Sequence, residues 1–119
     1  MRIGSILENQ NIEKRIAVTP EIVKKYISLG FEISLIESYG SHLGIEDEQY
    51  KGLGVNILKN EEEIFNTSDV IVQLGLMSDD RLSNMKENQT LIGVLNPYDN
   101  KEKLVNLVKK KINLFSLEL

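Results

Sequence analysis

The sequence contains no cysteine and no tryptophan, and it has only two prolines and one histidine among its 119 residues. The missing cysteine excludes disulfides, thiol nucleophiles and thiolate zinc sites. A single histidine and scattered acidic residues give no metal-ligand spacing, so we predict no metal site and assign no catalytic residue. No apolar run approaches the roughly 20 residues of a membrane span, and the N-terminus lacks a signal-peptide pattern. We expect a cytoplasmic chain with no direct membrane insertion.

The charge balance is acidic rather than basic, with 14 Lys and Arg against 18 Asp and Glu and a net charge of -4. Binding to nucleic acid needs a basic face that displaces counterions, so we exclude nucleic acid as a partner. The chain is 41% apolar, which is typical of a packed globular protein. Its length fits one domain spanning residues 1–119.

Short apolar runs alternate with helical patterns along the whole chain. Several runs are rich in Val, Ile and Leu on both faces, as in strands that are covered on both sides. The alternation predicts an α/β fold that is flavodoxin-like, with a mostly parallel sheet and helices on both faces. The predicted strands are 2–6, 32–36, 70–74, 91–95 and 113–117, with a weaker candidate at 55–58.

The first helix has the clearest boundaries. Thr19 suits the N-cap, Pro20 suits the first helical position, and Gly30 suits a left-handed C-terminal cap. A last helix is predicted after Asn100, which is a possible N-cap, and shorter helices are predicted over 46–53, 61–66 and 79–85.

The C-terminal segment, residues 112–119, has the pattern of a buried strand with no helix after it to cover it. We therefore expect the chain to be the N-terminal part of a longer protein.

Three loops follow predicted strands and contain candidate site residues: Arg15, Gly75 and Asn96. Ligands bind at the carboxyl edge of open parallel sheets, so these loops are expected to converge on one crevice. Arg15 could bind a carboxylate or phosphate, although a solvated arginine beside Glu8 or Glu13 is the simpler alternative. No G-x-G-x-x-G or G-x-x-x-x-G-K-[ST] motif occurs, so the chain contains no complete nucleotide site. His42 lies in a glycine-rich loop without triad partners, which favours a surface role.

The opening residues resemble a known family. Met1-Arg-Ile-Gly4, followed by Glu8, Asn11, Glu13, Arg15, Ala17, Thr19 and Pro20, is similar to the signature shared by alanine dehydrogenases and the alpha subunit of proton-translocating NAD(P) transhydrogenase. The resemblance continues through the 40–44 loop and the 68–72 run, and it covers essentially the whole chain.

Three positions separate the two branches of this family. Alanine dehydrogenases have an arginine matching Arg15, a lysine at the position of Gly75 and a catalytic histidine at the position of Asn96. Glycine cannot pair with a keto-acid carboxylate, and an amide is a poor acid or base. The resemblance therefore favours the transhydrogenase branch. Of the three positions, only Arg15 has the same residue as the alanine dehydrogenases.

The transhydrogenase resemblance implies an NAD(H)-binding component that passes hydride to NADP on a partner subunit, coupled to proton movement through a membrane subunit. The chain would then be the N-terminal part of a longer subunit whose Rossmann NAD-binding domain lies downstream. NAD would be bound mainly by residues beyond 119, with Arg15, Gly75 and Asn96 bordering the crevice. The implied partners are the rest of the alpha subunit, the NADP-binding and membrane subunits, and a second copy in a homodimer. The subunit would then be cytoplasmic and peripheral to the inner membrane, and the 119-residue chain alone would be inactive. An alanine-dehydrogenase-type oxidoreductase domain and a stand-alone non-catalytic binding module are the alternatives.

Overall fold

A computed structural model describes residues 1–117, and within them six β-strands alternate with five α-helices. The strands are β1 Arg2–Ser5, β2 Glu32–Ile36, β3 Asn56–Leu58, β4 Val70–Val72, β5 Thr90–Gly93 and β6 Asn113–Ser116. The helices are α1 Pro20–Ser28, α2 Asp47–Gly52, α3 Glu61–Thr67, α4 Asp79–Leu82 and α5 Lys101–Lys109. One turn of 3-10 helix, Ser41–Leu43, lies in the glycine-rich loop after β2.

The six strands form one parallel sheet in the order β3-β2-β1-β4-β5-β6. This confirms the predicted α/β class, and all six predicted strands are present. The strand order is that of a doubly wound fold, in which the direction of strand addition reverses between β1 and β4. Because crossovers between parallel strands are right-handed, this strand order puts α1 and α2 on one face of the sheet and α3 to α5 on the other. None of the helices described is long and apolar enough to cross a bilayer.

Helix α1 confirms the predicted boundary signals. The Thr19 hydroxyl accepts a hydrogen bond from the Ile22 N–H at 3.3 Å, and Pro20 occupies the first helical position. Gly30 has φ +91°, the left-handed conformation that favours glycine just after a helix. The buried side of the helix packs on β2 through Val23.

Two helix predictions are corrected. Asn100 precedes α5, but its side chain does not cap the helix; its Nδ2 donates instead to the Leu95 carbonyl at 2.9 Å. Helix α4 is a single turn, Asp79–Leu82, rather than the predicted 79–85. The chain after it forms turns that bring Met85 into the core, where that side chain is 1% exposed.

The core lies between the sheet and its helices, and the prediction that the last strand is buried is only partly right. Ile112 is 3% exposed, but β6 is the edge strand and its Phe115 is 60% exposed. By register, Phe115 follows Val72 and Ile92 across the sheet and lies on the face opposite the fully buried Ile71 and Leu91. The last part of the predicted segment, residues 118–119, lies outside the described residues.

Candidate functional site

The site lies where β1 and β4 diverge at the carboxyl edge of the sheet. The register between these two strands ends at the pair Gly4 and Ile71, whereas β1 and β2 stay paired to Ser5 and Leu35. Chain segments that follow β1 and β4 then separate, because β1 leads to one face of the sheet and β4 to the other. This reversal point is where open α/β sheets form their ligand crevices.

A crevice of about 690 Å³ opens between the two segments. Its walls are the loop after β1, residues 7–12, and the loop after β4, including Gln73 and residues 75–78. Arg81 of α4 and Lys103 of α5 complete the lining. Three residues with amide side chains, Asn9, Gln10 and Asn11, therefore lie along a space of small-molecule size.

Gln73 bridges the gap where the strands diverge. Its side chain is 2% exposed, and its Oε1 accepts hydrogen bonds from the Ile6 N–H at 2.7 Å and the Ser5 hydroxyl at 2.9 Å. Its Nε2 donates to the Ile6 carbonyl at 3.0 Å and to a Glu8 carboxylate oxygen at 2.9 Å. The Gln73 amide thus provides the hydrogen-bond partners of the Ile6 N–H and carbonyl, beyond the end of the backbone pairing between β1 and β4.

Glu8 makes the second bridge across the crevice. One carboxylate oxygen accepts the Leu74 N–H at 2.9 Å, and the other accepts the Gly75 N–H at 3.0 Å. Burial raises the pKa of the Glu8 carboxyl above its ordinary value, and the nearby Glu13 acts in the same direction. The hydrogen bonds from Leu74 and Gly75 lower the pKa but do not offset burial. The two N–H groups that an anionic ligand could use are therefore filled by the protein itself.

Two buried tyrosines anchor the end of the β1–α1 loop. The Tyr39 hydroxyl lies 2.9 Å from the Ser5 hydroxyl and accepts the Val18 N–H at 3.2 Å. The Tyr50 hydroxyl donates to the Val18 carbonyl at 2.7 Å. Burial raises the pKa of Tyr39 to about 12 and also raises the pKa of Tyr50, so both hydroxyls stay protonated and structural at neutral pH.

The cationic side chains that line the crevice are paired with carboxylates. Arg81 makes a two-pronged contact with Glu61, at 3.0 and 2.9 Å. Lys103 lies 3.5 Å from Asp79. A keto acid entering the crevice would have to compete with these carboxylates for positive charge.

The start of α1 does not fit a dinucleotide pyrophosphate, which the first helix of a complete β-α-β nucleotide site receives at its N-terminus. Thr19 already takes the Ile22 N–H, and Pro20 has no N–H to offer. The phosphates of a cofactor would therefore need residues other than these.

The structure places the three predicted crevice residues differently. Gly75 lines the crevice, and its N–H is bound to Glu8. The exposed Arg15 pairs with Glu13 through bonds of 3.0 and 2.7 Å and is not among the lining residues described. Asn96 is also exposed and outside that lining; it has φ +46° and its carbonyl closes the turn before α5.

His42 fastens the loop after β1 from outside the crevice. One ring nitrogen lies 2.8 Å from the Lys14 carbonyl and the other 3.2 Å from the Gln10 amide. The exposed ring therefore contacts the same loop that forms one wall of the crevice.

Sequence reasoning missed the role of Glu8. The residue stands in the opening signature, but nothing local indicates that its carboxylate reaches the loop after β4, more than 60 positions away. Gln73 gives a weak signal, because a glutamine among the apolar residues of a buried strand needs several partners.

Comparison with known proteins gives consistent matches. The family model described as "Alanine dehydrogenase/PNT, N-terminal domain" matches residues 4–119. The NAD(P) transhydrogenase subunit alpha of Haemophilus influenzae is 30% identical over 118 residues, covering 99% of this chain and 23% of the relative. An N(5)-(carboxyethyl)ornithine synthase of Clostridium botulinum is 32% identical over 97 residues, covering 82% of this chain and 29% of the relative.

Among solved structures, a transhydrogenase from Sinorhizobium meliloti superposes with a TM-score of 0.89 at 25% identity. The match covers 98% of this chain and 34% of that one. The chain thus spans about a quarter to a third of the length of these relatives.

Proposed function

Because the chain belongs to the alanine dehydrogenase/PNT N-terminal domain family, we propose that it is the N-terminal domain of the NAD(H)-binding alpha subunit of a proton-translocating NAD(P) transhydrogenase. In this proposal the complete subunit holds NADH beside the β1–β4 crevice and passes hydride to NADP on a partner subunit. The rest of the alpha subunit supplies the groups that bind the nucleotide phosphates, so the 119-residue chain alone is inactive.

The observation that carries the proposal is the arrangement at Gly75. The position where an alanine dehydrogenase would present a lysine offers a glycine, and its N–H is bound to the Glu8 carboxylate. An incoming keto-acid carboxylate would meet this like charge instead of a cation. The second distinguishing position, Asn96, is exposed and uncharged. These features favour a wall beside a nicotinamide over a substrate-binding pocket for pyruvate.

The surroundings of the domain follow from the same proposal. The subunit is cytoplasmic, forms a homodimer and associates with NADP-binding and membrane subunits at the inner membrane. A β1–α1 loop that is tied down by Tyr39, Tyr50 and His42 supports a fixed wall of this kind.

The test compares two reactions of the complete protein with its partner subunits. With NADH and a thionicotinamide analogue of NADP, the analogue should be reduced; with NADH, pyruvate and ammonium, NADH should remain. The reverse result would show an alanine-dehydrogenase-type enzyme. A stop codon directly after Leu119 would instead favour a stand-alone binding module.

A paired gain-of-function variant sharpens the comparison. A Cβ at Gly75 has space, with Glu8 as its nearest neighbour at 3.6 Å, so Gly75→Lys combined with Asn96→His restores both dehydrogenase residues without a clash at position 75. Any pyruvate-dependent NADH oxidation should appear in this variant and stay absent from the single variants. Oxidation of NADH with pyruvate by the unaltered protein would overturn the proposal.

A further inference from the structure

Two side chains make every direct hydrogen bond between the loop after β1 and the loop after β4, among the residues that the structure describes. These bonds involve the Glu8 carboxylate, the Gln73 amide and the N–H groups of Leu74 and Gly75, a group that we call the latch. The last backbone register pair between the two strands lies earlier, at Gly4 and Ile71. The latch therefore holds the two walls of the crevice at a fixed separation.

The inner half of the latch is rigid. The side-chain oxygen of Gln73 accepts two hydrogen bonds and its side-chain nitrogen donates two. Gln73 is 2% exposed, and its partner Ser5 is fully buried. The outer half reaches solvent: Glu8 is half-buried and lines the crevice, and its two oxygens hold the main chain of the opposite wall. Charge-assisted bonds of this kind are stronger than neutral ones. Removing Glu8 should free the N–H groups of Leu74 and Gly75, while Gln73 stays in place and the Leu74 carbonyl keeps its bond from the Val94 N–H.

We propose that Glu8 is a positioning residue for hydride transfer: through Leu74 and Gly75 it fixes the wall against which a nicotinamide ring lies. The inference rests on the proposed function, and it deepens that function by naming the residue that sets the geometry of the reacting ring. Both Glu8 oxygens are occupied by backbone donors, so the residue acts through the opposite wall rather than by accepting a proton.

A positioning role predicts a specific kinetic signature. A shift of about 1 Å in the reacting groups can slow a reaction by roughly 100-fold. The start of α1 offers no pyrophosphate site, so most of the NADH affinity must come from other residues. Loss of the latch should therefore lower kcat by roughly 10- to 100-fold while KM for NADH changes by less than about threefold.

The experiment uses the complete protein with its partner subunits and three variants. Glu8→Gln keeps the side-chain size but turns an NH₂ group toward backbone donors, so at least one bond is lost. Glu8→Asp keeps the charge on a shorter side chain and should fall between Glu8→Gln and the unaltered protein. Glu62→Gln, at an exposed glutamate of α3 outside the crevice, is the control and should behave like the unaltered protein.

Two readouts are measured on each variant. Hydrogen exchange of peptides covering residues 73–78, without nucleotide, should rise in Glu8→Gln and stay unchanged in Glu62→Gln. Steady-state transfer from NADH to the thionicotinamide analogue should show the kcat loss described above, with partial recovery in Glu8→Asp. A thermal midpoint for each variant separates local loosening from general destabilisation.

The two readouts distinguish failure of this inference from failure of the proposed function. Increased exchange with unchanged kcat overturns the positioning role and leaves the proposed function intact. The positioning role is also overturned if kcat and KM change equally and if, across the variants, these changes are proportional to the fall in thermal midpoint. Such a result would indicate that Glu8 has a structural role alone. If the unaltered protein transfers no hydride, the proposed function fails, and unchanged exchange in Glu8→Gln then overturns the latch as well.

Discussion

Replacing Gln73 with methionine should destabilise the fold severely, because one buried amide satisfies several groups at once. Methionine has a similar length and volume but cannot accept the Ile6 N–H or donate to the Ile6 carbonyl. Ile6 is 0% exposed, so water cannot replace these bonds. Each uncompensated buried group costs about 1 to 3 kcal/mol, which gives a loss of about 4 kcal/mol for the pair.

The loss is large compared with the total stability of a domain, which is about 5 to 15 kcal/mol. With a urea slope of about 2 kcal/mol per molar, the unfolding midpoint of Gln73→Met should fall by about 2 M. Urea unfolding followed by circular dichroism measures this midpoint. Gln49→Met, at an exposed position of α2, is the matched control and should change the free energy of unfolding by less than about 0.5 kcal/mol.

A loss below about 1 kcal/mol in Gln73→Met would refute this explanation of the diverging strands. It would mean that Ile6 finds other partners, and that the glutamine does not bridge the end of the β1–β4 ladder. A changed urea slope in the control would show that the comparison itself is unsound.

Two further predictions concern a glycine and an exposed ion pair. Gly93→Ala should destabilise the fold by about 2 kcal/mol or more, since the added Cβ would collide with the Gln73 carbonyl. At Gly52 in α2 an added Cβ has open space, so Gly52→Ala should stabilise the fold by about 0.5 kcal/mol. The urea unfolding midpoints of the two variants measure both changes. The Arg15 guanidinium, together with the Arg15 backbone N–H, lowers the pKa of Glu13 to about 2, so the stability from this pair is present above the ordinary glutamate value and is lost as the pH falls toward 2. An NMR titration should show the low pKa in the native protein and a higher pKa in Arg15→Gln, below the ordinary glutamate value because the backbone N–H of residue 15 remains; an unchanged value would contradict the pairing.

The parts of the fold that could be predicted from sequence depend on local signals. Thr19, Pro20 and Gly30 mark the ends of α1 because capping chemistry acts within a few residues. The strands follow from apolar runs, since a strand covered on both faces has little other composition available. The prediction that Asn100 caps α5 was wrong: the residue type suits an N-cap, but its side chain donates to the Leu95 carbonyl instead.

The crevice was predictable only as a location. The convergence of loops follows from parallel strands, and Gly75 does line the crevice. The direction of a long side chain in an irregular loop is often decided by neighbours that are distant in sequence, so the Glu8 bridge could not be deduced. The pairing of Arg15 with Glu13 agrees with the simpler alternative that the sequence offers for this arginine. Asn96 lies outside the described lining, in the turn before α5, where it has φ +46°.

Hydrogen exchange of the complete protein with and without NADH tests the location of the site most directly. If the β1–β4 crevice borders the bound nucleotide, NADH should slow exchange in both of its walls, residues 7–12 and 73–78. Peptides from the opposite edge of the sheet, around residues 83–87, should remain unchanged. Slowing confined to regions outside both walls would contradict the placement of the nucleotide beside this crevice.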